Sequence, residues 1–314
     1  MEPEELSQLR TFNEQVEQLI AALPPLSSVP PEVSRAARAE GRGGFPPPER
    51  VAEAVDRLVP AHDGRDIPVR VMVPPGDVLG VYFHIHGGGH TLGSTWENDI
   101  PLWRLARHCH VATVSVDYRL APEHRFPAGV EDCEDAAVWL VEKARAEFDT
   151  DVLVIGGESA GAHLSALTLL RLRDRHGITG AFRAANLVYG PYDLSGTPSA
   201  RAWDRHLILT RDSLEWFGEN LLPGVDREGR RDPEISPLYA DLRDMPPALF
   251  QVGTLDPLLD DSLFMHARWQ MAGNESRLEV YEEAFHGFNV FPLLAGKRAN
   301  LAQEAFITEL LSRA

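Results

Sequence analysis

The chain has 314 residues, 44% of them hydrophobic, and a formal net charge of −17. That acidity argues against nucleic acid and against anionic membrane surfaces as partners, since both are held by basic patches. Two cysteines, Cys109 and Cys133, are too few for a secreted disulfide scaffold and read as buried free thiols. The first ten residues are acidic and polar, without the apolar core of a signal peptide. No apolar run approaches the length of a membrane span, so the expectation is a cytoplasmic protein with no stable membrane insertion.

Residues 4–22 space Leu6, Leu9, Val16, Leu19 and Ile20 as on one face of a helix, and Pro24 and Pro25 stop it. A second short helix is expected over 32–40. The Gly/Pro-rich stretch 41–48 reads as a loop or linker. It divides an N-terminal helical cap segment, 1–48, from a main domain, 49–314. Strands are expected at 55–61 and 67–73, joined by the turn His62-Asp63-Gly64-Arg65. Six more follow at 81–86, 111–117, 151–156, 185–190, 248–253 and 278–281. Helical patterns occupy 99–109, 132–147, 160–176, 258–272 and 298–313. Strands alternating with helices predict the α/β class, with a mostly parallel eight-stranded sheet covered on both faces. The stretch 191–240 breaks the alternation and carries Trp203, Trp216 and Phe217. Insertions of this length are commonly lids or caps.

Three motifs carry chemistry. Gly157-Glu158-Ser159-Ala160-Gly161 stands between a predicted strand and a predicted helix. In that context a serine is lifted onto a sharp turn and becomes a nucleophile. His86-Gly87-Gly88-Gly89-His90 follows another strand, and its glycines expose backbone N–H groups suited to a developing oxyanion. The donors expected are Gly88, Gly89 and Ala160, with Gly87 shaping the loop. A phosphate cradle is the alternative for a glycine triplet, but the Lys-Ser/Thr of a P-loop is missing. Asp256 and His286 each follow a late strand, giving the chain order Ser159, Asp256, His286. Asp260 and Asp261 are rivals for the acid. Trp203, Trp216, His90 and His206 are candidate substrate-binding residues; the tryptophans read equally as the core of a cap. Arg119 and Glu123 read as ties for the loop beside the site.

Taken together, His86-Gly87-Gly88-Gly89, Tyr118-Arg119-Leu120-Ala121-Pro122-Glu123, the segment around Ser159, Asp256-Pro257-Leu258 and His286-Gly287-Phe288 resemble the hormone-sensitive-lipase-like family of α/β-hydrolases, the bacterial family IV esterases and lipases. The resemblance runs from about residue 55 to the C-terminus and, more weakly, into the helical segment before it. It implies an α/β-hydrolase catalytic domain over 49–314, with a cap insertion at about 191–240. It implies a triad of Ser159, Asp256 and His286, an oxyanion hole of Gly88, Gly89 and Ala160, and no metal or cofactor. The expected reaction is hydrolysis of short to medium acyl esters through an acyl-enzyme, with activity falling below about pH 6 as the base protonates. The partner is then a small-molecule ester, and the family suggests a possible homodimer through the last strand. Two other functions fit the same frame: an amide or aryl-acetamide hydrolase, and a non-catalytic small-molecule receptor, which the presence of His286 disfavours. Glu158 stands where one large subgroup has Asp, His90 where an aromatic or small residue is common, and Leu259 where Arg is frequent.

Overall fold

The computed structural model describes residues 3–42 and 48–313. Most of the expected 41–48 linker lies outside them. Eight strands form one sheet: β1 (Val55–Pro60), β2 (Asp66–Met72), β3 (Gly80–Ile85), β4 (Val111–Val116), β5 (Leu153–Glu158), β6 (Phe182–Val188), β7 (Ala248–Leu255) and β8 (Ser276–Phe285). Their order is β1-β2-β4-β3-β5-β6-β7-β8. The β1–β2 and β2–β4 pairs are antiparallel and the remaining five are parallel. β3 and β4 are buried along their whole length, as expected of central strands covered on both faces, with Thr113, Ser115 and His84 among their apolar residues.

Helices α1 (Pro3–Ala22), α2 (Pro31–Ala39), α3 (Asp99–Cys109), α4 (Ala128–Phe148), α5 (Ala160–His176), α6 (Pro198–Ala202), α7 (Arg211–Leu221), α8 (Leu259–Met271) and α9 (Leu294–Ser312) fill the connections. α4, α5 and α8 share one core with the sheet, including Leu140, Leu167, Met265 and Trp269. α3 and α9 share the core on the other face through Leu102, Leu105, Phe306 and Ile307. α1 closes a third cluster, in which Leu9 and Val16 meet Phe285 and Phe288 at the end of β8. Both cysteines are buried free thiols. Among the described residues no helix is long and apolar enough to cross a membrane.

Strand β7 departs from even pairing near its end. A register shift between Gly253 and Leu255 sets Leu255 opposite Phe285. A Cβ on Gly253 would lie 2.0 Å from the Ala284 carbonyl oxygen, so only glycine allows this approach. The residues that follow, Asp256 and His286, therefore leave the sheet side by side.

Candidate active site

Ser159 sits between β5 and α5 with φ 56° and ψ −121°, a conformation rare for a residue with a side chain. The surrounding glycines make that turn possible. A Cβ on Gly157 or Gly161 would lie 2.1 or 1.8 Å from the Ile85 carbonyl oxygen. The Ser159 N–H is held by Val188 O at 2.8 Å. Ser159 thus projects at the carboxyl end of the parallel strands, where α/β sheets gather ligands.

His286 Nε2 lies 2.9 Å from Ser159 Oγ, and His286 Nδ1 lies 2.9 Å from Asp256 Oδ2. Asp256 is buried, and its other oxygen accepts the Leu258 N–H at 2.9 Å. An ionised carboxylate only accepts, so the imidazole proton belongs on Nδ1 and the Nε2 lone pair faces the serine hydroxyl. That is the tautomer a general base needs. The rival acids are engaged elsewhere. Asp260 accepts from the Ser199 N–H, and Asp261 accepts from the Asp193 N–H and the Thr197 hydroxyl, pinning the start of the 191–240 insertion. Burial pushes the Asp261 carboxyl up to about 8.

The glycine loop leaves β3 against this line. A Cβ on Gly87 would lie 2.8 Å from Glu158 O and 3.5 Å from Ser159 Cβ, which makes Gly87 the spacer between loop and nucleophile. Gly88 and Gly89 take φ of 114° and 60°, and the Gly88 carbonyl receives the N–H groups of Thr91 and Leu92. Among the described residues, no acceptor engages the N–H groups of Gly88, Gly89 or Ala160. Ala160 opens α5, whose dipole adds positive potential there.

The four expected pocket residues separate. Trp216 meets Phe217 ring to ring at 5.1 Å, and it is the Phe217 ring that is pressed on Gly89, 2.3 Å from where a Cβ would be. Trp203 packs with the α1–β8 cluster and donates to Leu209 O at 2.8 Å, which is the cap-core alternative. His206 is exposed. His90 is buried with its ring edge-on to His163 at 4.9 Å, turned into the protein. Burial holds the His86 imidazole down to about 3 and His163 to about 4, and His90 well below its usual range.

Several contributors carry no motif. Tyr189, at the end of β6, lays its ring 4.6 Å from that of His286 and donates to Asn289 Oδ1. The expected strand 185–190 contained it without marking it; β6 ends one residue before it. Arg35 of α2 donates to Thr91 O, Ala121 O and both Glu123 oxygens, latching the N-terminal segment to the loops beside the site. Arg119 instead binds Asp132 and Ala128 O, so Arg119 and Glu123 tie different loops. Among the described residues no group of three or more His, Cys, Asp or Glu side chains is arranged to hold a metal ion.

Fold and site together define an α/β-hydrolase with a Ser–His–Asp line at the head of its sheet. Residues 82–290 match the family Abhydrolase_3, described as an alpha/beta hydrolase fold, and the chain belongs to that family, the hormone-sensitive-lipase-like branch. It is 34% identical over 263 residues to the carboxylic ester hydrolase LipN of Mycobacterium tuberculosis, covering 81% of this chain and 69% of that protein. It is 32% identical to the ethyl acetate hydrolase of Pseudomonas putida, over 74% of each chain. Among solved structures, a hyperthermophilic esterase from the archaeon Pyrobaculum calidifontis superimposes with a TM-score of 0.85 at 29% identity, over 96% of this chain and 97% of that one.

Proposed function

We propose that this protein is a serine carboxylesterase acting on short to medium acyl esters. The observation that carries the reading is the hydrogen-bonded line Asp256–His286–Ser159, 2.9 Å at each link, beside three free backbone N–H groups. His286 takes the Ser159 proton as Oγ attacks the ester carbonyl. The carbonyl oxygen becomes an oxyanion and accepts from Gly88, Gly89 and Ala160; one such donor is worth roughly 10²–10³ in rate. Asp256 keeps the tautomer and stabilises the imidazolium. The proton then passes to the leaving alcohol, the acyl group stays on Oγ, and a water activated by His286 releases the acid. Phe217 on Gly89 narrows the space beside the oxyanion donors, which supports small acyl groups; the relatives named ethyl acetate hydrolase and acetyl esterase support the same size class.

The test is a panel of p-nitrophenyl acetate, butyrate and octanoate against matching anilides. The short esters are expected to turn over fastest. Ser159→Ala is expected to lose more than about 10³-fold in kcat while keeping the native circular dichroism spectrum. Ester turnover retained by that variant sinks the proposal.

A further inference from the structure

We infer that Glu158 and His84 are positioning residues of the hydrolytic reaction, tying the strand that delivers the oxyanion donors to the strand that delivers the nucleophile. The inference rests on the serine esterase reading above. His84 lies on β3, two residues before the loop that begins at His86; Glu158 is the last residue of β5, directly before Ser159. His84 Nε2 lies 3.0 Å from Glu158 Oε2, and His84 Nδ1 lies 2.8 Å from Ser115 Oγ on β4. The three side chains therefore cross three neighbouring strands, β4, β3 and β5.

The register explains how they meet. His84 is paired with Ser115 on one side and with Gly156 on the other. Paired residues of a parallel sheet share a face, and so do residues two apart along a strand. Glu158 thus projects on the same face as His84, one step further along. At Gly156 the place of a side chain is taken by its neighbours: a Cβ there would lie 2.4 Å from the Tyr82 hydroxyl and 2.6 Å from Asn186 O. The carboxylate accepts, so Nε2 carries the imidazole proton, and Nδ1 accepts from the Ser115 hydroxyl. His84 is fully buried and pinned at both nitrogens, while Glu158 is 23% exposed.

This tie sits where positional error is most damaging. The Glu158 main chain is packed between Gly87 and Ser159, and Ser159 holds a left-handed φ that its surroundings must impose. The nucleophile and the oxyanion donors come from different strands and must stay registered to a fraction of an ångström; a 1 Å misplacement costs about 10²-fold. The His84–Glu158 bond is the side-chain link between β3 and β5 at the point where both leave the sheet.

Glu158→Gln, Glu158→Ala and Ser115→Ala separate positioning from folding. Active sites are counted with a fluorophosphonate, and kcat and KM for p-nitrophenyl acetate are expressed per labelled site. Gln still accepts from Nε2–H, so Glu158→Gln is expected within about threefold of the wild-type kcat. Glu158→Ala is expected to lower kcat per site roughly 30–100-fold with KM within about twofold. Ser115→Ala, the milder change, is expected to fall between them by freeing the His84 tautomer. An unchanged kcat per site in Glu158→Ala, or a loss explained by fewer labelled sites, overturns the inference. So does a Gln variant as impaired as the Ala variant, since charge rather than position would then matter. Ser159→Ala is measured alongside: an active wild type and a dead serine variant uphold the esterase reading whatever Glu158 does, whereas a wild type that turns over no ester overturns both.

Discussion

Asp256 and Asp260 are four residues apart and carry the same carboxylate, yet their surroundings give them different work. Asp256 has one oxygen on the imidazole and the other on a backbone N–H, and its burial leaves it no freedom to turn. Asp260 accepts the Ser199 N–H in the first turn of α6. Asp256→Asn is expected to cost about 10⁴ in kcat by releasing the wrong imidazole tautomer. Asp260→Asn keeps an acceptor for the Ser199 N–H and is expected to stay within about threefold. Steady-state kinetics on both variants decide the matter, and a reversed order would move the acid one turn along the chain. Ser159, Asp256 and His286 were legible in the sequence because each sits in a short motif after a strand. Tyr189, Phe217 and Arg35 were not, because contact with the site is their only distinction and contact is created by folding. His90 adjoins a motif, and in the fold it takes a φ of 59° and lies buried with its ring edge-on to His163.

At the level of elements, apolar runs marked all eight strands, and helical spacing found α3 and α5 at their observed limits, Asp99–Cys109 and Ala160–His176. Boundaries slipped where side-chain pattern and backbone pairing part company. The strand expected at 151–156 is β5 at 153–158: it continues through Gly157 and Glu158 because those residues still pair with β6, although Gly157 has no side chain to signal a strand. The 191–240 insertion was legible only as a break in rhythm. Its helix α7 is short and is fixed from outside: Thr210 and Ser213 form a capping box, and Asp212 accepts from Ser27 beyond α1. That anchoring holds Phe217 against Gly89. Phe217→Ala is expected to raise the octanoate-to-acetate ratio of kcat/KM roughly tenfold, because a few methylenes of pocket depth are worth that much discrimination. A ratio unchanged by the substitution removes Phe217 from the acyl site.

For the whole molecule, three neutral imidazoles buried around the glycine loop set a limit on acid tolerance. His86, His90 and His163 all have depressed affinities for a proton in the folded state, chiefly through burial. Unfolded, each titrates near 6.5. Their stabilising contribution is complete above that value and is lost as pH falls toward the folded values, because the unfolded chain then binds protons that the folded one refuses. At pH 5 the loss is about 2 kcal/mol for each of His86 and His163. Urea denaturation at pH 7.5 and pH 5 is expected to show a clearly lower midpoint at pH 5; equal midpoints would contradict the burial argument. The clustering of α1 with the end of β8 has a different consequence, one of timing. Asn13 donates to Glu283 O, Phe12 stacks on Phe285 at 5.7 Å, and Arg10 pairs with Glu283, so the first helix braces the residues that carry His286. On the ribosome, α1 emerges more than 250 residues ahead of these partners. Ser159 exists through nearly half of that interval without its base, 127 residues further on, and the brace and the base arrive together. A growing chain therefore carries a finished serine but no working enzyme until the segment bearing His286 has been made.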